Sequence, residues 1–304
     1  MIIPAYTRET IILRHGDDGR AWVDGLPGRL AELRERWQVR LGDAFSYGSV
    51  NFVAPGTRAD GTPVVLKAAY DRASLVPEIE ALRLADGSGL VPIIELAPEG
   101  DAYLMRRAVP GDELIDHPDD EEASRILGRT MAALWRPIPA VHPFPTVVGW
   151  GQGFDRMRER YGGGTGPLPA ELTARAERMY AELLSTSAEP VVLHGDLHHH
   201  NVLRDGDEWS AIDPKGVVGE PAYEIGAMMR NRLPDLSDPE AARAILLRRL
   251  AIVAEETGLD ADRLRRWTVA QALLTAWWVV EDQGPFEWAE DVIRTAELLI
   301  RDDD

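Results

Sequence analysis

Apolar and polar positions change their period near residue 110 of this 304-residue chain. Before that point, short alternating runs separated by turn residues predict strands, with one helix among them. Residues 29–36 form a short amphipathic segment ahead of a strand beginning near Trp37, and residues 45–55 read as a turn followed by a strand. Asp60-Gly61 is a tight hairpin signal, so residues 63–67 are the returning strand. Residues 76–85 predict a helix with Leu75, Ile79 and Leu82 on one face, ended by Gly87 and Gly89. Residues 103–105 form a further short strand, and Pro110-Gly111 breaks the chain.

Beyond the break the period is helical. Residues 121–135 form one helix, closed by Pro137 and Pro139, and residues 170–184 another, after a Gly- and Pro-rich loop. Three more begin at Asp238-Pro239, Asp260 and Glu287, where Pro at a first helical position and Asp at a cap are start signals. Trp267, Trp277, Trp278 and Trp288 fall in these last helices and read as packing between them. The pattern predicts an α+β chain, with a small β-rich lobe over residues 1–107 and a larger helical lobe over residues 108–304.

Residues 191–216, VVLHGDLHHHNVLRDGDEWSAIDPKG, carry the densest chemistry. A short apolar strand (191–193) delivers His194, Asp196 and Asn201, and a second (209–212) delivers Asp213, the two being expected to form a hairpin. Phosphoryl transfer needs such a set: a carboxylate to take the proton of an attacking hydroxyl, and an amide oxygen and second carboxylate to hold Mg²⁺. Asp196 is the candidate base, Asn201 and Asp213 the candidate metal ligands, and His194 a brace for the loop. His198-His199-His200 invites a Zn²⁺ reading, but consecutive imidazoles rarely aim at one ion. Some of these three are expected to line a substrate face, His198 and His200 among them, and the others to be solvated.

Lys67 ends an apolar strand, from which an ammonium reaches nucleotide phosphates. Glu78 and Glu80 are both placed to pair with it from the following helix; being two apart, only one faces inward, and Glu78 is preferred because Leu82 lies one turn beyond it. The turn at residues 45–51, with Ser46, Gly48 and Ser49, is the candidate nucleotide cover. The segment after residue 103, with Met105, Arg106 and Ala108, is a candidate hinge whose backbone groups read an adenine edge. Glu220, Glu224 and Arg230 are candidate acceptor contacts.

Composition narrows the picture. A net charge of −18 argues against a nucleic-acid partner and suits a cationic small molecule. The absence of cysteine removes disulfides and thiolate chemistry. No apolar run approaches a membrane span and the first residues do not read as a secretion signal, so a cytoplasmic protein is expected.

HGDLHHHNVL followed by AIDPKGVVGEPAYEIGAMMRN resembles the aminoglycoside phosphotransferases, in particular the branch of streptomycin 6-kinases and hydroxyurea phosphotransferases. VAPGTRADGTPVVLK, EIEALRLADGSG and AYLMRRAVPGDEL are similar to the N-terminal lobe of that branch, so the likeness runs over residues 45–231. It implies a bilobal protein-kinase-like fold and Mg²⁺-dependent transfer of the ATP γ-phosphate to a hydroxyl of a streptomycin-like antibiotic, conferring resistance. By matching position it makes Asp196 the base, Asn201 and Asp213 the metal ligands and Lys67 the phosphate-contacting lysine. His200 departs from the family's glycine. Lys215 fits the branch and either touches phosphate or braces the loop. The same machinery would serve an amino sugar, hydroxyurea or a metabolite; a nucleotide-binding pseudokinase is the alternative of a different class.

Overall fold

The computed structural model describes residues 2–46, 50–302 and 304, and its contacts divide the chain into two units, residues 1–111 and 112–304. In the first unit, helix α1 (Ala5–Trp37) precedes strands β1 (Val39–Leu41), β2 (Phe52–Arg58) and β3 (Pro63–Ala68), helix α2 (Arg72–Ala85), and strands β4 (Ile93–Leu96) and β5 (Ala102–Arg106). The five strands form one antiparallel sheet in the order β1-β2-β3-β5-β4. Leu26, Leu30, Leu33 and Trp37 recur at helical spacing along α1 and pack on one face of the sheet, against Phe52, Ala54, Val64, Leu66, Ala68 and Leu104. Strand alternation then turns Lys67 and its cross-strand neighbour Tyr103 to the opposite face.

Two sequence expectations change here. The amphipathic segment at 29–36 is the end of a 33-residue helix broken at Gly16 (φ +57°), and Trp37 closes that helix rather than opening a strand. Helix α2 starts a turn earlier than its apolar face indicates, because Asp71 caps it by accepting from Ala73 N at 2.9 Å.

Strand β6 (Pro110–Glu113) leads into the second unit. Helices α3 (Asp120–Leu134), α4 (Val147–Gly151), α5 (Gly153–Arg160) and α6 (Ala170–Ser185) come first. Strands β7 (Val191–Leu193), β8 (Val202–Asp205), β9 (Glu208–Ala211) and β10 (Val217–Gly219) follow, then α7 (Ile225–Met229), α8 (Pro239–Thr257), α9 (Ala261–Glu281) and α10 (Phe286–Leu299). Helix α9 is the hub, packed by α5, α6, α7, α8 and α10, and its Trp267 and Trp277 are fully buried. Asp238 and Asp260 cap α8 and α9 through Ala241 N and Arg263 N. Trp288 departs from the expected packing role, since it is 57% exposed.

The central strands pair differently from the expected hairpin. β8 pairs with β9, Val202 opposite Ala211, while β7 pairs antiparallel with β10, Leu193 opposite Val217. The loop from His194 to Asn201 is therefore held between two separate ladders. Among the described residues no helix is long and apolar enough to cross a membrane.

Candidate active site

Each unit contributes one cluster of functional side chains. In the first, Lys67 Nζ lies 2.7 and 2.8 Å from the two carboxylate oxygens of Glu78, and the Tyr103 hydroxyl donates to the same carboxylate. All three are buried. A buried ammonium is tolerable only when paired and hydrogen-bonded, and α2 supplies that pairing from Glu78, whereas the Glu80 side chain is 39% exposed and lies 3.8 Å from Arg83. Met105 and Arg106 lie inside β5, and Ala108 lies beyond its end. Ser46 is exposed coil; Gly48 and Ser49 lie outside the described residues. Tyr103→Phe should lower stability by about 1.5–3 kcal/mol, the loss of a hydrogen bond to a charged group, with urea unfolding as the measurement.

In the second unit the cluster is built around the loop after β7. Gly195 takes φ +83° there, and a Cβ on it would lie 2.9 Å from Val217 Cγ1 and 3.0 Å from the Trp150 ring, so the turn requires glycine. His194 donates through Nε2 to Ile212 O (2.8 Å) and accepts at Nδ1 from Asp196 N (3.2 Å), an arrangement for a neutral ring. Burial pushes its pKa down to about 4. The ring ties the loop to the chain just before Asp213, and Ile212 N donates to Asn201 O at 3.0 Å. Asn201 Nδ2 donates to Asp196 O at 2.9 Å, which fixes the amide over the base's own backbone. Asp213 sits at φ +59°, a left-handed conformation that Asp tolerates better than most residues, and Lys215 Nζ binds its carboxylate at 2.9 Å.

Arg230 Nη2 donates to Asp196 Oδ1 at 2.6 Å. Burial pushes the Asp196 carboxyl up, but Arg230, followed by His198 and Lys215, outweighs it and holds the group below the usual carboxylate range. Asp196 is thus ionised at neutral pH. Arg230→Gln should move the acid limb of the kcat/KM–pH profile up by about 1–3 units, since burial then acts unopposed; an unmoved limb would remove Arg230 from this role.

Several expected acceptor contacts lie inside the fold. Glu224 is 2% exposed, and its two oxygens accept from His194 N (2.8 Å) and Gly195 N (2.9 Å), clamping the loop's backbone. Burial raises its pKa to about 7 against those bonds. Glu220 is equally buried, bound by Arg263 at 2.7 and 2.8 Å and by the Trp267 indole. Both carboxylates face the interior because backbone and side-chain donors there need acceptors. The histidines divide differently from the solvated arrangement expected: His199 is fully buried, His198 Nε2 lies 3.2 Å from Asn201 Nδ2, and only His200 is exposed, its Nδ1 2.6 Å from Glu113 Oε2. Among the described residues no group of three or more His, Asp and Glu side chains is arranged to hold a metal ion.

Glu224 as a backbone clamp, Tyr103 as a partner of Glu78 and Arg230 as a partner of Asp196 escaped the sequence reading. Each pairing joins residues 25–34 apart whose meeting depends on strand register or helix placement.

The fold has clear counterparts. A crystal structure of the aminoglycoside phosphotransferase APH(4)-Ia, in ternary complex with ADP and hygromycin B, aligns with a TM-score of 0.63 at 16% identity, covering 88% of this chain and 97% of that one. The fold is therefore that of the kinase-like phosphotransferases, as the sequence pattern and its resemblance led us to expect. Sequence narrows it further. Residues 36–283 match the family of aminoglycoside/hydroxyurea antibiotic resistance kinases, and the chain belongs to that family of small-molecule kinases. It is 29% identical to streptomycin 6-kinase of Streptomyces griseus over 98% of this chain and 97% of that protein. It is 36% identical to streptomycin 3''-kinase of Klebsiella pneumoniae over 82% of this chain and 91% of that protein.

Proposed function

We propose that this protein transfers the γ-phosphoryl group of ATP to a hydroxyl of a cationic, streptomycin-like aminoglycoside in the cytoplasm, conferring resistance. The observation that carries the reading is the loop system in which Asp196, Asn201 and Asp213 are tied together by His194 and by direct hydrogen bonds, with Asp196 kept ionised. Asp196 orients the acceptor hydroxyl and receives its proton as the new oxygen–phosphorus bond forms and the bond to ADP breaks. A carboxylate held below its usual range is a weak base, so orientation is its larger contribution, in keeping with the loose transition state of phosphoryl transfer. Residues 1–107 supply the nucleotide contacts: Lys67, held ready by Glu78, for the phosphates, the segment with Ser46, Gly48 and Ser49 as a cover, and backbone groups near Met105, Arg106 and Ala108 for the base. Residues 108–304 supply the catalytic loop and acceptor contacts.

The donor set suits Mg²⁺. Asn201 spends its amide nitrogen on Asp196 O, which leaves Oδ1 as a ligand, and the Asp213 side chain is 34% exposed; both are hard oxygen donors. When bound there the ion would neutralise phosphate charge. Lys215 braces Asp213. Exposed His200 and its partner Glu113, with the net charge of −18, support a cationic acceptor and argue against nucleic acid.

A coupled ADP-release screen against streptomycin, other aminoglycosides, hydroxyurea and simple amino sugars tests the reading. Streptomycin-stimulated release is expected. Stimulation by hydroxyurea alone would transfer the reading to the other substrate named by the family, and no release with any acceptor would leave a nucleotide-binding module.

A further inference from the structure

Beneath the catalytic turn, on the side away from Asp196, the second unit buries a set of nitrogen atoms that nothing in the fold satisfies. His199 is 0% exposed and neither ring nitrogen has a hydrogen-bond partner. Arg249, from α8, places Nε and Nη2 on the Asp120 carboxylate at 2.6–3.2 Å, while its Nη1 is buried and unpaired. Arg232 gives Nη2 to His117 O at 2.6 Å, holds Nε 3.8 Å from Asp120, and buries an unpaired Nη1. Arg249, Arg232 and Asp120 all act electrostatically on the His199 ring, so the orphan atoms share one neighbourhood.

The deficit has a definite sign. A guanidinium nitrogen only donates, and a neutral imidazole offers one donor and one acceptor. The unsatisfied set therefore holds several N–H groups against a single lone pair. Charge is unbalanced in the same direction. Asp120 faces Arg249, Arg232 and Arg248, and Arg248 is shared with Glu121 at 3.3 Å. A buried donor left unmade costs about 1–3 kcal/mol, more when charged, so several together are not left empty. A water molecule would accept two of the N–H groups but bring two hydrogens of its own, with one imidazole lone pair to receive them. An acceptor-only, negatively charged species meets both deficits.

We propose that Arg232, Arg249 and His199 bind a small inorganic anion of the halide type, which braces from below the turn that carries Asn201. This site is separate from the acceptor and nucleotide contacts, and its test reads binding rather than turnover.

Bromide is the probe. Crystals grown in sodium bromide should show an anomalous difference peak among Arg232 Nη1, Arg249 Nη1 and the His199 ring. In solution, replacing sodium gluconate by sodium bromide at constant ionic strength should raise the Tm saturably by about 2–4 °C. Arg232→Gln should keep a cooperative melt and lose that increment. Density without anomalous signal at the site, or equal melts in the two salts, overturns the proposal. A bromide peak without the Tm increment means an adventitious ion only and also overturns it.

Discussion

Asp196→Asn should lower turnover by about 10²–10⁴-fold, the range associated with a positioned proton acceptor, while the melting behaviour and ATP affinity remain near those of the parent protein. The amide keeps the side chain's shape and one oxygen toward Arg230 Nη2, whose 2.6 Å contact stabilises the loop. What it loses is the charge and the proton acceptance. The expected signature is a fall in kcat with little change in the ATP KM. Steady-state kinetics with a saturating acceptor reads this directly, and a variant retaining more than a tenth of parent turnover would exclude Asp196 as the group that handles the proton.

The second large effect is on stability in mild acid. Burial pushes His194 and His198 down to about 4 and His199 to about 3. Between about pH 6.5 and 4 the unfolded chain binds protons at these three positions that the native chain refuses. Their contribution is therefore complete above about 6.5 and is lost as pH falls. Glu224 works the other way: its carboxyl is raised to about 7, so the native chain gains a proton there that the unfolded chain does not hold above about 4.5. Three groups against one leave a net difference of about two protons, or ~2–3 kcal/mol per pH unit between 6.5 and 4.5. Asp196 and Asp120, both lowered, lose their stabilisation only below the ordinary carboxylate range and do not enter this window. Urea unfolding from pH 7.5 to 4.5 measures the slope; a flat profile, or stability rising towards pH 5, would contradict it.

The fold was legible where local signals are strong. Asp238-Pro239 and Asp260 announced helices that the structure caps at those residues, and the change of period near residue 110 separated the sheet-bearing part from the helical one. Helix α1 was largely hidden, because Gly16, Gly19, Gly25, Gly28 and Pro27 interrupt its pattern and only Leu26, Leu30, Leu33 and Trp37 keep the period through packing on the sheet. The pairing of β7 with β10 was invisible for another reason: three-residue strands carry almost no pattern, and their register is set by the loop between them.

The site divides along the same line. Spacing in H-x-D-x-x-x-x-N named the polar groups of the loop, since those groups are contributed by one continuous segment. It could not say that Glu224 spends both oxygens on the loop's backbone, or that Glu220 is consumed by Arg263 and Trp267, because acidic side chains in sequence look alike whether they face solvent or a buried donor. His199 is the sharpest case. Its neighbours in the chain face the catalytic side or solvent, and a short 3-10 turn rotates it alone into the interior.

The contact of Trp150 with the glycine of the catalytic loop has a practical consequence. An indole wedged against the backbone that must shift when ligands arrive is a built-in optical gauge, requiring no dye. The chain has nine tryptophans, so the emission difference between parent and Trp150→Phe isolates the one that watches this turn.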